Sequence, residues 1–350
     1  MSIKASEFGK MPDGTAVSCH TLSNKHGVTA EILSLGGIVR ALRVPDRNGR
    51  FADVVLGKDT LDEYLAGHPH FGCITGRTAG RITGATFSID GERYTVDANE
   101  GANCLHGGGE SFAKMVWTAS VVEDSGVEKL RLSLRDPDGH NGFPGNVDCA
   151  VTYALYDDNT FEIHYAATTD QPTPLNLTNH SYFNLAGAGS RDVLGHEVTV
   201  FADAIAPSRE DQSLTGEKAP VRAGHNDFRK PVRLADLAAL DTANADTHYF
   251  LPEGRTPHPK QAAAARDPES GRRMEVFTTE PGVQFYAGLL LEKNGPVSGK
   301  DGASYRRCHG LCFETQDYPD AVNHPDLGDA VLRPGETRTS TTLFRFKTDA

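Results

Sequence analysis

Phe87-Ser88-Ile89-Asp90-Gly91-Glu92-Arg93-Tyr94-Thr95-Val96 decides the fold class. Phe87 and Ile89 alternate with polar neighbours, as do Tyr94 and Val96, so each half turns one face to a core and one to solvent. Asp90-Gly91 between them accepts the positive backbone angles of a two-residue hairpin turn. Working outward, residues 117–122 and 130–134 form a second candidate hairpin around Ser125-Gly126. Residues 147–156 and 161–166 form a third, turning at Asp157-Asp158-Asn159. Short apolar runs at 196–201, 283–291, 310–315 and 341–346 extend the pattern to the end of the chain. Helical periodicity is nearly absent; Leu234-Ala235-Asp236-Leu237-Ala238-Ala239-Leu240 is the best case, and amounts to two turns. Many short strands at hairpin spacing, with 36 Gly and 19 Pro for the turns, predict an all-β sandwich or barrel. No linker divides the chain, so residues 1–350 are expected to form one domain. Residues 254–273, polar and holding Pro257, Pro259 and an alanine run, read as an exposed loop. No fixed-period repeat points to a propeller.

Charge narrows the partners. With 35 Lys and Arg against 47 Asp and Glu, the net charge is −12 and no basic stripe exists for a phosphate backbone. Nucleic acid and anionic membrane surfaces are therefore excluded as expected partners. No apolar run approaches the roughly 18 residues of a membrane span, and the first ten residues do not read as a secretory signal. The six cysteines are scattered, unlike a disulfide scaffold. A reduced, cytoplasmic protein is the expectation.

Several motifs fail as chemistry. Leu105-His106-Gly107-Gly108-Gly109 resembles a hydrolase oxyanion loop, but no Gly-x-Ser-x-Gly elbow accompanies it. Residues 295–300 fall one position short of a phosphate loop, and Asp301 stands where Ser or Thr is needed. His68-Pro69-His70 is expected to be a solvated loop, not a metal site, and Cys308-His309 with Cys312 lacks a second ligand pair.

Two segments carry more. Pro174-Leu175-Asn176-Leu177-Thr178-Asn179-His180-Ser181-Tyr182-Phe183-Asn184-Leu185, if extended, turns Asn176, Thr178, His180 and Tyr182 to one face. That much hydrogen-bonding capacity is costly in a dry core, so the face is expected either to line a wet pocket or to form a half-exposed sheet surface. Leu311-Cys312-Phe313-Glu314-Thr315-Gln316-Asp317 puts a carboxylate inside an apolar run, where it should be functional or paired with an arginine; Arg77 and Arg81 are candidates. One His and one Glu on separate strands, with no metal set, suggest acid–base work on a neutral polyhydroxylated ligand.

At this point the sequence resembles the aldose 1-epimerases, or galactose mutarotases. The resemblance rests on Gly76-Arg77-Thr78-Ala79-Gly80-Arg81-Ile82, Leu105-His106-Gly107-Gly108, the Asn-rich 176–185 segment, Asp227-Phe228-Arg229, Pro281-Gly282-Val283-Gln284-Phe285-Tyr286, and Glu314-Thr315-Gln316 continuing to Asn323-His324-Pro325. It implies a single large antiparallel β-sandwich and interconversion of the α and β anomers of free sugars such as glucose and galactose, with no cofactor and no metal. It also implies Glu314 as the base on the anomeric hydroxyl and His180 as the acid on the ring oxygen. Arg81, His106, Tyr182, Asp246 and Gln284 become substrate-binding candidates. The expected partner is a small free sugar, and the expected assembly a monomer or weak homodimer. Three departures from the family pattern stand out. Gly80 occupies a position often held by Asn, Asp246-Thr247-His248 replaces Asp-His-Asn, and residues 207–216 lack a Pro often seen before Thr-Gly. A sugar-binding sandwich without turnover competes with this reading, but would be expected to lose His180 or Glu314. A glycoside hydrolase also competes, pairing Glu314 with Asp246 or Asp317; it needs two facing carboxylates, which a His acid does not supply.

Overall fold

The computed structural model describes residues 2–237, 240–293 and 295–349. The hairpin expected around Asp90-Gly91 is present as Thr86–Ile89 against Glu92–Thr95, with Asp90 at φ 53° and Gly91 at φ 89°. Both positive angles belong to a type I′ turn, whose twist matches the flanking strands. The second and third hairpins, Thr118–Asp124 with Val127–Asp136 and Val147–Leu155 with Thr160–Thr169, continue into one nine-stranded sheet. Across that sheet the order runs through Arg338–Thr348, Arg272–Thr278, Lys260–Arg266 and Glu197–Val200 to Val232–Arg233, every neighbour antiparallel.

A five-stranded meander from Ser2–Lys10 to Phe51–Asp53 forms a second sheet, so the N-terminal stretch is paired. A third, of Ala219–Pro220, Ala204–Ala206, Asp246–Phe250, Gly282–Tyr286 and Cys312–Gln316, carries the chemistry described below. The result is the expected all-β antiparallel sandwich, and its main apolar core is continuous from Val17 to Phe346. Alternation along Cys312–Gln316 explains how the third sheet sits. Phe313 stacks on Phe285 at 5.5 Å and Thr315 Oγ1 meets Thr342 Oγ1 of the nine-stranded sheet at 2.5 Å, both on the core side. Glu314 and Gln316 face the other way.

Four expectations are corrected. The loop expected at 254–273 contains the strand Lys260–Arg266, inside the nine-stranded sheet; Ala262, Ala263 and Ala265 are buried there. Alanine has poor strand propensity, so the run carried no strand signal, but neighbours on both sides satisfy its backbone and cover its small faces. The two-turn helix at 234–240 is one 3-10 turn, Leu234–Asp236, after which Leu237 is extended at ψ 134°. Ala238 and Ala239 lie outside the described residues. The run 283–291 is a strand only to Tyr286; Gly288 at φ 63° then turns the chain, and Leu290 N–H donates to Tyr286 Oη at 2.8 Å. Finally, 176–182 is not one continuous strand. Only Thr178–Asn179 forms a ladder, with Ile74–Thr75, and Asn176 turns elsewhere.

Candidate active site

The Cys312–Gln316, Gly282–Tyr286 and Asp246–Phe250 strands set a lattice of side chains on the third sheet. Gln284 lies directly opposite both Glu314 and His248, and Tyr286 directly opposite Cys312 and Asp246. Cross-strand partners share a face, so Glu314, Gln284 and Asp246 converge without any loop being needed. Gln284 Nε2 donates to Asp246 Oδ1 at 2.7 Å, fixing both.

Three other elements close the opposite wall. The two-residue ladder of Arg81–Ile82 with Cys104–Leu105 brings Arg81 beside His106. Gly80 N–H donates to His106 Nδ1 at 3.1 Å, which leaves His106 Nε2 as the N–H donor of that ring. Arg81 is held by Glu100, Nε to Oε2 at 2.5 Å and Nη2 to Oε1 at 2.9 Å, and Nη2 also donates to Gln212 Oε1 at 3.2 Å. His180 is positioned by backbone bonds on both sides, its N–H to Cys73 O at 2.9 Å and Gly72 N–H to its carbonyl at 3.0 Å.

All seven residues singled out from the sequence, Arg81, His106, His180, Tyr182, Asp246, Gln284 and Glu314, line one pocket of about 190 Å³. His180 Nε2 lies 3.6 Å from Glu314 Oε1, and both side chains are almost wholly buried. Among the described residues Glu314 finds no arginine partner: Arg81 is committed to Glu100, and Arg77 to Asp136, Nε to Oδ2 at 2.7 Å. Burial, reinforced by the Asp246 carboxylate and opposed by Arg81, pushes the Glu314 carboxyl up to about 8. Burial, with His70 adding to it, lowers His180 to about 3. Asp246 is raised to about 6, again chiefly by burial. Between roughly pH 3 and 8 the His180–Glu314 pair therefore holds one proton between its two members.

Other side chains reach the pocket without a sequence signal. His70 stands 5.7 Å from the His180 ring, planes at 25°, and 4.8 Å from His106. Its Pro69 neighbour lines the pocket too, while His68 packs against Tyr64 and Phe71, so the segment is not the expected solvated loop. Glu100, Gln212 and Gln316 also line it. Glu100 could have been sought as the partner a pocket arginine needs; Gln316 could have been read from strand alternation two residues past Glu314. Asn176, expected on the same face as His180, instead accepts from Asp317 N–H at 2.9 Å and donates to Asp317 O at 3.1 Å, pinning the turn that follows Gln316. Gly80, where the family pattern often has Asn, has φ 71°, and a Cβ there would stand 2.4 Å from Pro319 Cβ. Pro319 fills the space a side chain would occupy.

Donor atoms of His106, His180 and Glu314 lie within 4.8 Å of one another, a spacing a cation could use. The donor set does not fit one: with Nδ1 accepting from Gly80, His106 carries its proton on Nε2 and offers no lone pair there.

A family model described as aldose 1-epimerase matches residues 18–345. The chain belongs to the aldose 1-epimerase family. Within that family it is 43% identical to the galactose mutarotase of Sus scrofa over 346 residues, 99% of each chain. It is 33% identical to the aldose 1-epimerase of Escherichia coli K12 over 341 residues, 96% of each. Among solved structures, the GalM/aldose epimerase homologue of C. elegans superimposes with a TM-score of 0.86 at 31% identity, covering 94% of this chain and 98% of that one. The galactose 1-epimerase of Lactobacillus acidophilus gives 0.84 at 26%, covering 100% and 99%. The epimerase family fold is thus the frame on which this pocket is built.

Proposed function

We propose that the protein is an isomerase that interconverts the α and β anomers of free aldoses such as glucose and galactose, with Glu314 and His180 as its acid–base pair. The observation that carries this reading is the 3.6 Å contact between His180 Nε2 and Glu314 Oε1 inside a pocket lined by hydrogen-bonding side chains. Ring opening requires a proton to leave the anomeric hydroxyl and another to reach the ring oxygen. Both oxygens sit on one carbon, so the two groups must stand close together yet approach from different elements. His180, after the Thr178–Asn179 ladder, and Glu314, on the third sheet, meet that requirement.

One proton shared by the pair is the count the reaction needs. The raised carboxyl and the lowered imidazole keep that proton on Glu314 at rest; once it has passed to His180, in the carboxylate–imidazolium form, Glu314 takes the O1 proton while His180 Nε2–H protonates the ring oxygen and the C1–O5 bond breaks. The product is an open aldehyde with a free C5 hydroxyl. Rotation about C1–C2 presents the other face of the aldehyde. O5 then attacks C1, His180 recovers its proton, and Glu314 returns its own to O1. The protein ends with the protonation it began with, and no nucleophile or cofactor is consumed. Arg81, His106, Tyr182, Asp246 and Gln284 are assigned to the sugar hydroxyls, with His106 Nε2–H and the Arg81 guanidinium as donors.

Six free, buried cysteines support a reducing, cytoplasmic setting. The continuous core supports one domain over residues 1–350, and a monomer or weak homodimer is our reading of its assembly.

Polarimetry of freshly dissolved α-D-glucose and α-D-galactose, with wild type and Glu314→Gln in parallel, tests the proposal. Acceleration by wild type alone supports it. Equal acceleration by both removes Glu314 from the chemistry, and none on either sugar or on pentoses leaves a sugar-binding protein.

A further inference from the structure

Gln316 is the second side chain by which Cys312–Gln316 lines the pocket, two residues beyond Glu314 on the same face. It is 1% exposed, and its Oε1 has no hydrogen-bond partner among the described residues. Native chains rarely leave a buried amide oxygen unpaired without a reason. Its neighbours show why no internal partner is available. Gln284, opposite Glu314, is committed to Asp246. The residue directly opposite Gln316 is Gly282, which offers no side chain. Over Gly282 lies the His248 ring, where an added Cβ would stand 2.5 Å from Nε2, and neither His248 nitrogen has a hydrogen-bond partner among the described residues. The corner of the sheet beside Glu314 thus presents polar groups that the chain itself does not pair.

We propose that the Gln316 amide is a substrate-binding and specificity-determining group that hydrogen-bonds a non-anomeric hydroxyl of the sugar. Two residues of strand separate its Cα from that of Glu314 by roughly 6.7 Å. This is much further than the spacing of the two oxygens on the anomeric carbon, so Gln316 addresses a hydroxyl further round the ring. A sugar hydroxyl both donates and accepts, and the amide offers one end of each kind, so the pairing holds whichever way the amide is turned. Gln316 takes no part in proton transfer and belongs to the recognition of the open and closed sugar alike. The assignment rests on the anomer-interconverting reading for its ligand class, but not for its geometry.

A ligand-by-variant cycle tests it. Wild type, Gln316→Leu and Gln316→Asn are compared on glucose and its 2-, 3-, 4- and 6-deoxy analogues, with kcat and KM from polarimetry and Kd from calorimetry. The expected result is a roughly three- to tenfold loss of kcat/KM on glucose in Gln316→Leu, carried mainly by KM. For one deoxy sugar alone, wild type and variant become equal, because the hydroxyl that Gln316 holds is already missing. Gln316→Asn, which keeps the amide but shortens it, shows the same pattern in weaker form and serves if the Leu variant does not fold. An equal loss on every sugar, or no loss on glucose, overturns the proposal. If wild type binds sugars with this Gln316 pattern in Kd but turns none over, the catalytic reading fails and the Gln316 assignment stands. If wild type is active and the pattern is absent, only the assignment fails.

Discussion

Glu314→Gln should make the protein more stable at neutral pH, by an amount that the burial of this carboxyl sets. Buried beside Asp246, the Glu314 carboxyl is raised from 4.5 to about 8. Between those values the folded chain keeps a proton that the unfolded chain releases, so stability falls as pH rises through this window. The slope is about 1.4 kcal/mol per pH unit for one group. From pH 4.5 to pH 7 the cost therefore accumulates to about 3 kcal/mol, and it is complete above the folded-state value. Glutamine has the same shape and does not titrate, so the variant escapes the cost. Asp246 titrates in both proteins and largely cancels from the difference. Urea unfolding of the two proteins at pH 5 and pH 7.5 measures it: the variant's advantage should be under about 1 kcal/mol at the lower pH and about 4 kcal/mol at the higher. An advantage that does not change with pH, or a variant less stable at pH 7.5, would show that Glu314 is ionised in the folded state and would refute the raised carboxyl on which this prediction rests. The same substitution should cost roughly 10²- to 10⁴-fold in kcat, the range for a general base. Greater stability together with lost turnover in the variant would mark the wild-type carboxyl as one that trades stability for function.

Enzyme-catalysed kcat/KM, corrected for spontaneous mutarotation, should be level from pH 5 to 7 and fall about tenfold from pH 7 to 9, as the pair loses its single proton near pH 8. A rate that stays level or rises to pH 9 by polarimetry contradicts this. Arg77→Met should destabilise by about 3–5 kcal/mol in denaturant unfolding, because it leaves the Asp136 carboxylate, 3% exposed, without its guanidinium. The surviving folded protein should keep its kcat, since Arg77 lies outside the pocket. Gly80→Ala should cost about 2–4 kcal/mol and raise KM, since φ 71° and the 2.4 Å approach to Pro319 both oppose a side chain there. An unchanged melting temperature would mean that Pro319 yields freely.

Short-range chemistry made much of this protein legible in its sequence. Asp90-Gly91 and Ser125-Gly126 specify their hairpins because positive φ is a property of those residues and not of their surroundings. A carboxylate inside an apolar run singled out Glu314, and ordered motifs tied it to His180, Arg81, His106, Tyr182, Asp246 and Gln284. The pairing of strands far apart in sequence lay beyond that reach. Lys260–Arg266 is a strand because Glu197–Val200 and Arg272–Thr278 flank it, and its alanines say nothing of either. Asn176 follows the Asp317 backbone instead of the alternation of its own segment. Pro69 and His70 became a wall of the pocket because His106 and His180 arrive beside His70 from elsewhere in the chain. The charge state of the pair was hidden for the same reason. A residue type fixes a reference pKa, but the displacement of Glu314 and His180 in opposite directions comes from burial and from Asp246 and His70, which only the folded chain brings near. The sequence determined which groups are present and how each strand alternates; the tertiary structure decided which of them meet, which stay dry and which of the pair keeps the proton.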